Sequence, residues 1–284
     1  TDGEILHLVR EKYRLPSLLW LTVAFVGLAV LLGGMTGVTS VIGLGVSILV
    51  LIGFVIPRIV AGSDPLLVSL LGAVVIACTS LYLAHGFSKR TSVALLSTLV
   101  TLGISTLLAL LFVHAGKLFG MGSEESMFLQ MGALGAVNLR GLLLGGIVIG
   151  CLGVLDDITT AQTATIDEIS KANPRLSSAQ LRKAGFSVGR EHIASLINTL
   201  ALAYVGSSFP LLLLFEIQSG FPLWVTLNGE FLAEEIVRTL VGSATLLFAV
   251  PISTWLAAAL LRGGGSGASG GHSHAHSHAH ALHL

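Results

Sequence analysis

Charge is the scarcest commodity in this chain. Only 11% of its 284 residues are Asp, Glu, Lys or Arg, whereas a soluble domain carries roughly 25% because it must present a wetted surface. So few charges cannot cover a water-facing globule of this size, which excludes one. The 15 basic and 15 acidic residues cancel, so net charge points to no nucleic-acid partner. Cysteine is nearly absent. Cys78 and Cys151 both lie inside apolar runs, which argues against a disulfide framework and for two thiols acting as small hydrophobes. No nucleophile elbow, phosphate loop, HExxH or paired CxxC occurs, so an enzyme reading lacks support. There is no cleavable signal peptide either: the chain opens on the charged stretch TDGE, without an initiator Met, and is expected to be a fragment or processed chain.

What the chain has is apolar length. Hydrophobic residues make up 53% and mean hydropathy is +0.89, so the solvent for most of the surface must be a bilayer. The 34 glycines fit, because glycine is common in membrane helices and lets backbones approach closely. A spanning helix needs roughly 20 mostly apolar residues to cross about 30 Å of hydrocarbon. Seven stretches qualify, at about 15–34, 38–56, 65–85, 92–115, 139–159, 192–215 and 236–261. The expected fold is an all-α polytopic bundle over 15–262, with 1–14 as an extracytoplasmic juxtamembrane remnant. The run 127–137 is too short to span and reads as an interfacial or re-entrant piece.

The connection 160–191 holds the densest basic cluster, Lys171, Arg175, Arg182, Lys183 and Arg190. By the positive-inside rule it is cytoplasmic, which puts the N-terminus outside and the C-terminus inside. Asp167, Glu168 and Ile169 continue the fifth helix until Asn173-Pro174 stops it. Ser177 and Gln180 then have the spacing of a capping box that starts a second helix. This cytoplasmic hairpin is either a solvated connector or a docking element for a cytoplasmic partner such as an ATPase. The tail, 263–284, is a flexible Gly/Ser linker followed by His272, His274, His276, His278, His280 and His283. It reads either as an engineered linker with an affinity tag or as a metal-buffering tail binding Zn²⁺ or Ni²⁺ weakly. Alternation of His with Ser and Ala slightly favours the second, and no other cofactor is implied.

Ionisable groups inside a span are costly, which makes them functional candidates. Asp156 and Asp157 follow the start of the fifth span by about 16 residues, roughly 24 Å at the helical rise. That depth is the inner part of the bilayer or its cytoplasmic edge. Asp157 aligns with Gly146, Gly150 and Gly153, and the stripe continues to Thr160. Such a glycine seam permits close packing against another helix, with Asp157 at its foot as a proton or cation site. The alternative is a carboxylate pair solvated among headgroups. In the sixth span Ser195, Thr199, Leu202 and Gly206 share a face, with Asn198 beside it. Ser207, Ser208 and Pro210 then interrupt the span, since proline lacks a donor and clashes with the preceding turn. Broken helices of this kind bind substrate in secondary transporters; a packed kink with polar interhelical contacts is the plainer account. Tyr82 with His85, and His114 with Lys117, end their spans and read as interfacial residues.

Four segments carry a resemblance. They are NLRGLLLGGIVIGCLGVLDDIT at 138–159, ANPRLS at 172–177, VGREHIASLINTLALAYVGSSFP at 188–210 and YLAHGFS at 82–88. Together they resemble the YibE/F-like membrane proteins across nearly all of the bundle. The resemblance implies a bacterial multipass protein whose relatives carry an N-terminal anchor and an extracytoplasmic β-rich region. It agrees with an outside N-terminus. It marks Asp156, Asp157, Asn198 and Pro210 as motif positions and assigns them no role. The expected function is a transporter or permease with its cavity between the fifth and sixth spans. A non-transporting assembly subunit is the alternative.

Overall fold

The computed structural model describes residues 13–132, 137–207, 209, 213 and 222–261. Among them the fold is all-α. The long helices are α1 (Leu15–Val60), α2 (Pro65–His85), α3 (Lys89–Ala115), α5 (Leu139–Ala172), α6 (Ser178–Ser207) and α8 (Glu230–Leu260). Two short ones, α4 (Glu124–Met131) and α7 (Leu223–Leu227), lie in the connections. The run expected to be re-entrant begins inside α4, and its remainder includes residues 133–136, outside those described.

Among the described residues, five helices are long and apolar enough to cross a membrane: α1, α2, α3, α5 and α8. The first two expected spans form the single run α1, broken at Gly34, where φ is 56° and ψ is −136°. The break is sharp. A Cβ on Gly37 would collide with the Ala29 carbonyl oxygen and sit 2.9 Å from its carbon, although residues eight apart in an unbroken helix are about 12 Å apart. The chain therefore doubles back at Gly34. The sixth expected span corresponds to the end of α6, which is described as far as Ser207 and starts with the charged residues Arg182, Lys183, Arg190 and Glu191.

Local chemistry starts and stops the helices. Asp64 accepts the Leu67 N–H at 2.9 Å and Pro65 opens α2; Ser88 accepts from Thr91 at 3.0 Å for α3. Asn138 accepts from Gly141 at 3.1 Å for α5. Ser177 and Gln180 form a reciprocal box before α6, with bonds of 2.9 and 3.2 Å. Pro57 cannot donate a backbone bond, and the turn before it widens into a π-helical turn, Leu51–Val55.

Helix α5 is the centre of the bundle, packed against α2, α3, α6 and α8. Lipid is as apolar as leucine, so packing is driven by close approach and not by burial of oily surface. Small residues accordingly mark the crossings. Ala73 and Ala77 of α2 meet Val148 and Leu152 of α5 and Ala249 of α8 in one fully buried cluster. A Cβ at Gly145 would strike the Ser69 hydroxyl and lie 3.2 Å from the Pro65 carbonyl. One at Gly141 would be 3.1 Å from the Pro65 ring. These two glycines bring α2 and α5 into backbone contact. The seam expected at Gly146, Gly150 and Gly153 is on the neighbouring, exposed face, and a Cβ at Gly146 or Gly153 would have nothing within 4 Å.

The interior between α3, α5, α6 and α8 is polar as well as apolar. Ser97, Thr101 and Ser105 are buried at four-residue intervals on α3. Thr159 donates to the Leu155 carbonyl, which leaves Thr98 as the donor in the 2.6 Å Thr98–Thr159 contact. Thr245 lies 2.8 Å from Ser105. Gln162 donates from Nε2 to the Gly185 carbonyl and to Thr254, each at 2.8 Å. Such bonds tie helices together where water is not available to compete.

Candidate functional site: a carboxylate cleft between α1, α2 and α5

Asp156 and Asp157 stand next to one another on α5, and side chains of helical neighbours diverge by about 100°. Two clefts meet at this pair. One, of about 370 Å³, is lined by Ser40 of α1, Ser80 and His85 of α2, and Asp156, Asp157 and Thr160 of α5. The other, of about 290 Å³, extends from the same Ser40, Ser80 and carboxylates towards Ser47 and Gly153. The walls are thus supplied by α1, α2 and α5. Close packing makes this possible: Gly43 is buried, and a Cβ there would lie 3.8 Å from the Ser80 backbone, so α1 is drawn against α2 just above the carboxylates.

The two carboxylates differ in surroundings. Asp156 is partly buried, and Ser80 lines both clefts with it. Its Oδ1 and the Thr160 hydroxyl are shielded from solvent and have no hydrogen-bond partner. Asp157 is exposed, and His85 lines the larger cleft beside it. His85 is therefore part of the site and not only an interfacial residue. Tyr82 is turned elsewhere: its hydroxyl is 3.0 Å from Ser92 and its ring stacks on Phe87 at 4.5 Å.

Among the described residues, the remaining expected site residues are not brought to this cleft. Asn198 and Thr199 are exposed on α6, and the Thr199 hydroxyl is spent on the Ser195 carbonyl at 3.0 Å. The two clefts at the carboxylates are lined by α1, α2 and α5 and by no described residue of α6. Ser207 ends α6, while Ser208 and Pro210 lie outside the described residues, as do His272, His274, His276, His278 and His280. Among the basic residues, Lys171 is engaged by Asp167 at 2.7 Å and Glu168 at 3.2 Å. Arg190 lies over the Phe186 ring at 5.8 Å. Arg175, Arg182 and Lys183 are exposed at the same end of the bundle.

Beside the carboxylates expected from the sequence, the cleft contains Ser40, Ser80 and His85. A lone serine in an apolar run has no distinguishing context, so Ser40 and Ser80 carried no usable signal. The hydroxyl row of α3 did carry one, in its four-residue spacing.

A second polar cluster closes the opposite end. Glu230 accepts the Phe119 N–H at 2.5 Å and the Met121 N–H at 3.4 Å, and the buried Glu234 accepts from Gly122 at 3.0 Å. Arg140 donates to the Leu118 carbonyl at 2.8 Å and lies over the Phe119 ring. These carboxylates already hold backbone donors, so this cluster is a clasp between the α3–α4 loop and the start of α8.

With this geometry in hand, comparison with known proteins is informative at the family level alone. The YibE/F-like protein family matches residues 21–263, and the chain belongs to that family. No curated protein and no solved structure matches.

Proposed function

We propose that this YibE/F-like membrane protein is a transporter or permease for a small solute or ion, coupled to a proton or cation through Asp157. The observation that carries the reading is the meeting of two clefts at an intramembrane carboxylate pair. A carboxylate within a membrane span is costly, so its retention calls for a use. The clefts give it one, because they connect the carboxylates with hydroxyls from two other helices. In this reading the chain catalyses no reaction and needs no cofactor.

The placement of basic residues supports a cytoplasmic end. Arg90 and Glu168 approach to 4.0 Å, so the α2–α3 turn and the α5–α6 hairpin share one end of the bundle. That end also carries Lys89, Arg175, Arg182 and Lys183. By the positive-inside rule it faces the cytoplasm, with the N-terminus outside and the C-terminus inside a cell membrane.

The test uses the full chain in vesicles, with proton flux followed by an internal pH dye under imposed Na⁺ or K⁺ gradients. Asp157→Asn is expected to abolish the cation- or pH-dependent flux. Unchanged flux in that variant sinks the reading.

A second reading has its own observation. Arg182 and Lys183 are exposed on the first turns of α6 and make no ion pair among the described residues. They fit a docking site for an acidic surface on a cytoplasmic partner such as an ATPase, which would make the chain an assembly subunit. Reversal of both charges to Glu should then abolish co-purification of that partner from native membranes. Recovery of the same partner with both charges reversed removes this alternative.

A further inference from the structure

We propose that the cleft is a binding site for a hard monovalent cation such as Na⁺, coordinated by Asp156, Thr160, Ser80 and Ser40. The inference deepens the transporter reading by naming the ion and moving its ligand from Asp157 to Asp156.

Four residues apart, Asp156 and Thr160 are stacked on one face of α5, and both line the larger cleft. Asp156 Oδ1 and Thr160 Oγ1 are shielded from solvent, and neither has a hydrogen-bond partner. A buried oxygen without a partner carries a desolvation cost that something must offset. The two do not bond each other, so a proton on the carboxyl group does not by itself satisfy both. A cation between them does, since each oxygen offers a free lone pair. Ser80 of α2 and Ser40 of α1 line the same cleft. Three helices therefore each contribute a hydroxyl- or carboxylate-bearing side chain to one cleft.

The donor chemistry decides the class of ion. Every inner donor is a carboxylate or hydroxyl oxygen, which suits hard cations and disfavours the softer transition metals. Charge decides the valence. Asp156 is the single negative group among these four, and the hydroxyls are neutral. Asp157 lines the same cleft but is exposed to solvent, so its charge is not left for the bound ion to neutralise. One positive charge neutralises Asp156; a divalent ion would leave an excess in a poorly solvating environment and, for Mg²⁺, would retain several waters.

The experiment measures the thermal unfolding midpoint of the full chain in detergent, titrated with NaCl against choline chloride at constant pH and ionic strength, with ²²Na⁺ binding alongside. Because a ligand that binds only the folded state raises its stability by mass action, wild type is expected to show a saturable, Na⁺-specific rise. Thr160→Val keeps volume and charge. It is expected to raise the apparent Na⁺ dissociation constant at least about tenfold, the scale on which loss of a supporting group weakens a metal site. Ser80→Ala should do likewise, and Asp156→Asn should abolish the response. If Asp156→Asn does not fold, the two hydroxyl variants decide the matter. Superimposable Na⁺ and choline curves, an unchanged response in both hydroxyl variants, or an equal response to millimolar Mg²⁺ each overturn the proposal. A normal Na⁺ response with Asp157-independent flux would instead sink the transport reading and leave the site standing. Cation-dependent flux with no Na⁺ response would do the reverse.

Discussion

Gly120→Val is expected to destabilise the protein by about 3 kcal/mol or more, the range reserved for strained backbone combined with steric conflict. Gly120 has φ of +86°, a region that costs an L-residue about 1–2 kcal/mol by itself. Its surroundings then add to that. A Cβ there would strike the Leu139 carbonyl group and lie 2.8 Å from the Arg140 nitrogen. These are backbone atoms at the start of α5 and cannot swing aside. They are held by the Asn138 cap at 3.1 Å and by the Arg140–Leu118 bond at 2.8 Å. The same loop delivers the Phe119, Met121 and Gly122 donors to Glu230 and Glu234, so displacing it also undoes the clasp on α8. The comparison is Gly62→Ala, where φ is +89° and a Cβ would have nothing within 4 Å. That variant should lose only the backbone component, about 1–2 kcal/mol. Thermal unfolding in detergent reads both. Equal losses at the two positions would mean that the contact between loop and α5 is looser than described.

Gln162→Ala is the other large effect, expected at about 3 kcal/mol. Gln162 is fully buried where α5, α6 and α8 meet. Truncation removes two interhelical hydrogen bonds, each worth about 1 kcal/mol in a membrane bundle. It also leaves a cavity that the surrounding helices fill only in part. The helices cannot close further, because Gly185 and Gly189 already bring α6 to contact. A Cβ at Gly185 would collide with Ile166, and one at Gly189 with Val250. Gln162→Met keeps the volume and loses only the bonds, so it should cost about 1–2 kcal/mol. If the Met variant matches the Ala variant, hydrogen bonding and not packing accounts for the loss. If Gln162→Ala is neutral, the junction does not hold α6 in place.

Much of this was readable from residue types. The Ser177–Gln180 box and the Asn173-Pro174 stop are local chemistry, decided within a few residues, and they delimit α5 and α6 in the structure. The hairpin at Gly34 was half readable. Two apolar stretches separated by glycines imply a break, but φ and ψ at Gly34 are needed to show that the chain reverses there. The glycine seam was placed one face away from the true contact. Gly141, Gly145, Gly146, Gly150 and Gly153 offer more than one stripe, and spacing cannot say which of them meets a neighbour.

The carboxylate pair shows where the division falls. The sequence by itself determined that this is a membrane bundle of a particular family with two adjacent carboxylates in its fifth apolar stretch, because apolar length, charge scarcity and short motifs are properties of the chain alone. Only the tertiary structure decided that Asp156 and Asp157 share a cleft with Ser40, Ser80 and His85, Asp156 partly buried and Asp157 exposed. It also decided that the cleft belongs to α1 and α2, and not to α6. The physical reason is the solvent. A soluble helix announces its buried face by an apolar stripe, whereas a helix in lipid is apolar all round, so its pattern does not distinguish the face that meets protein from the face that meets hydrocarbon.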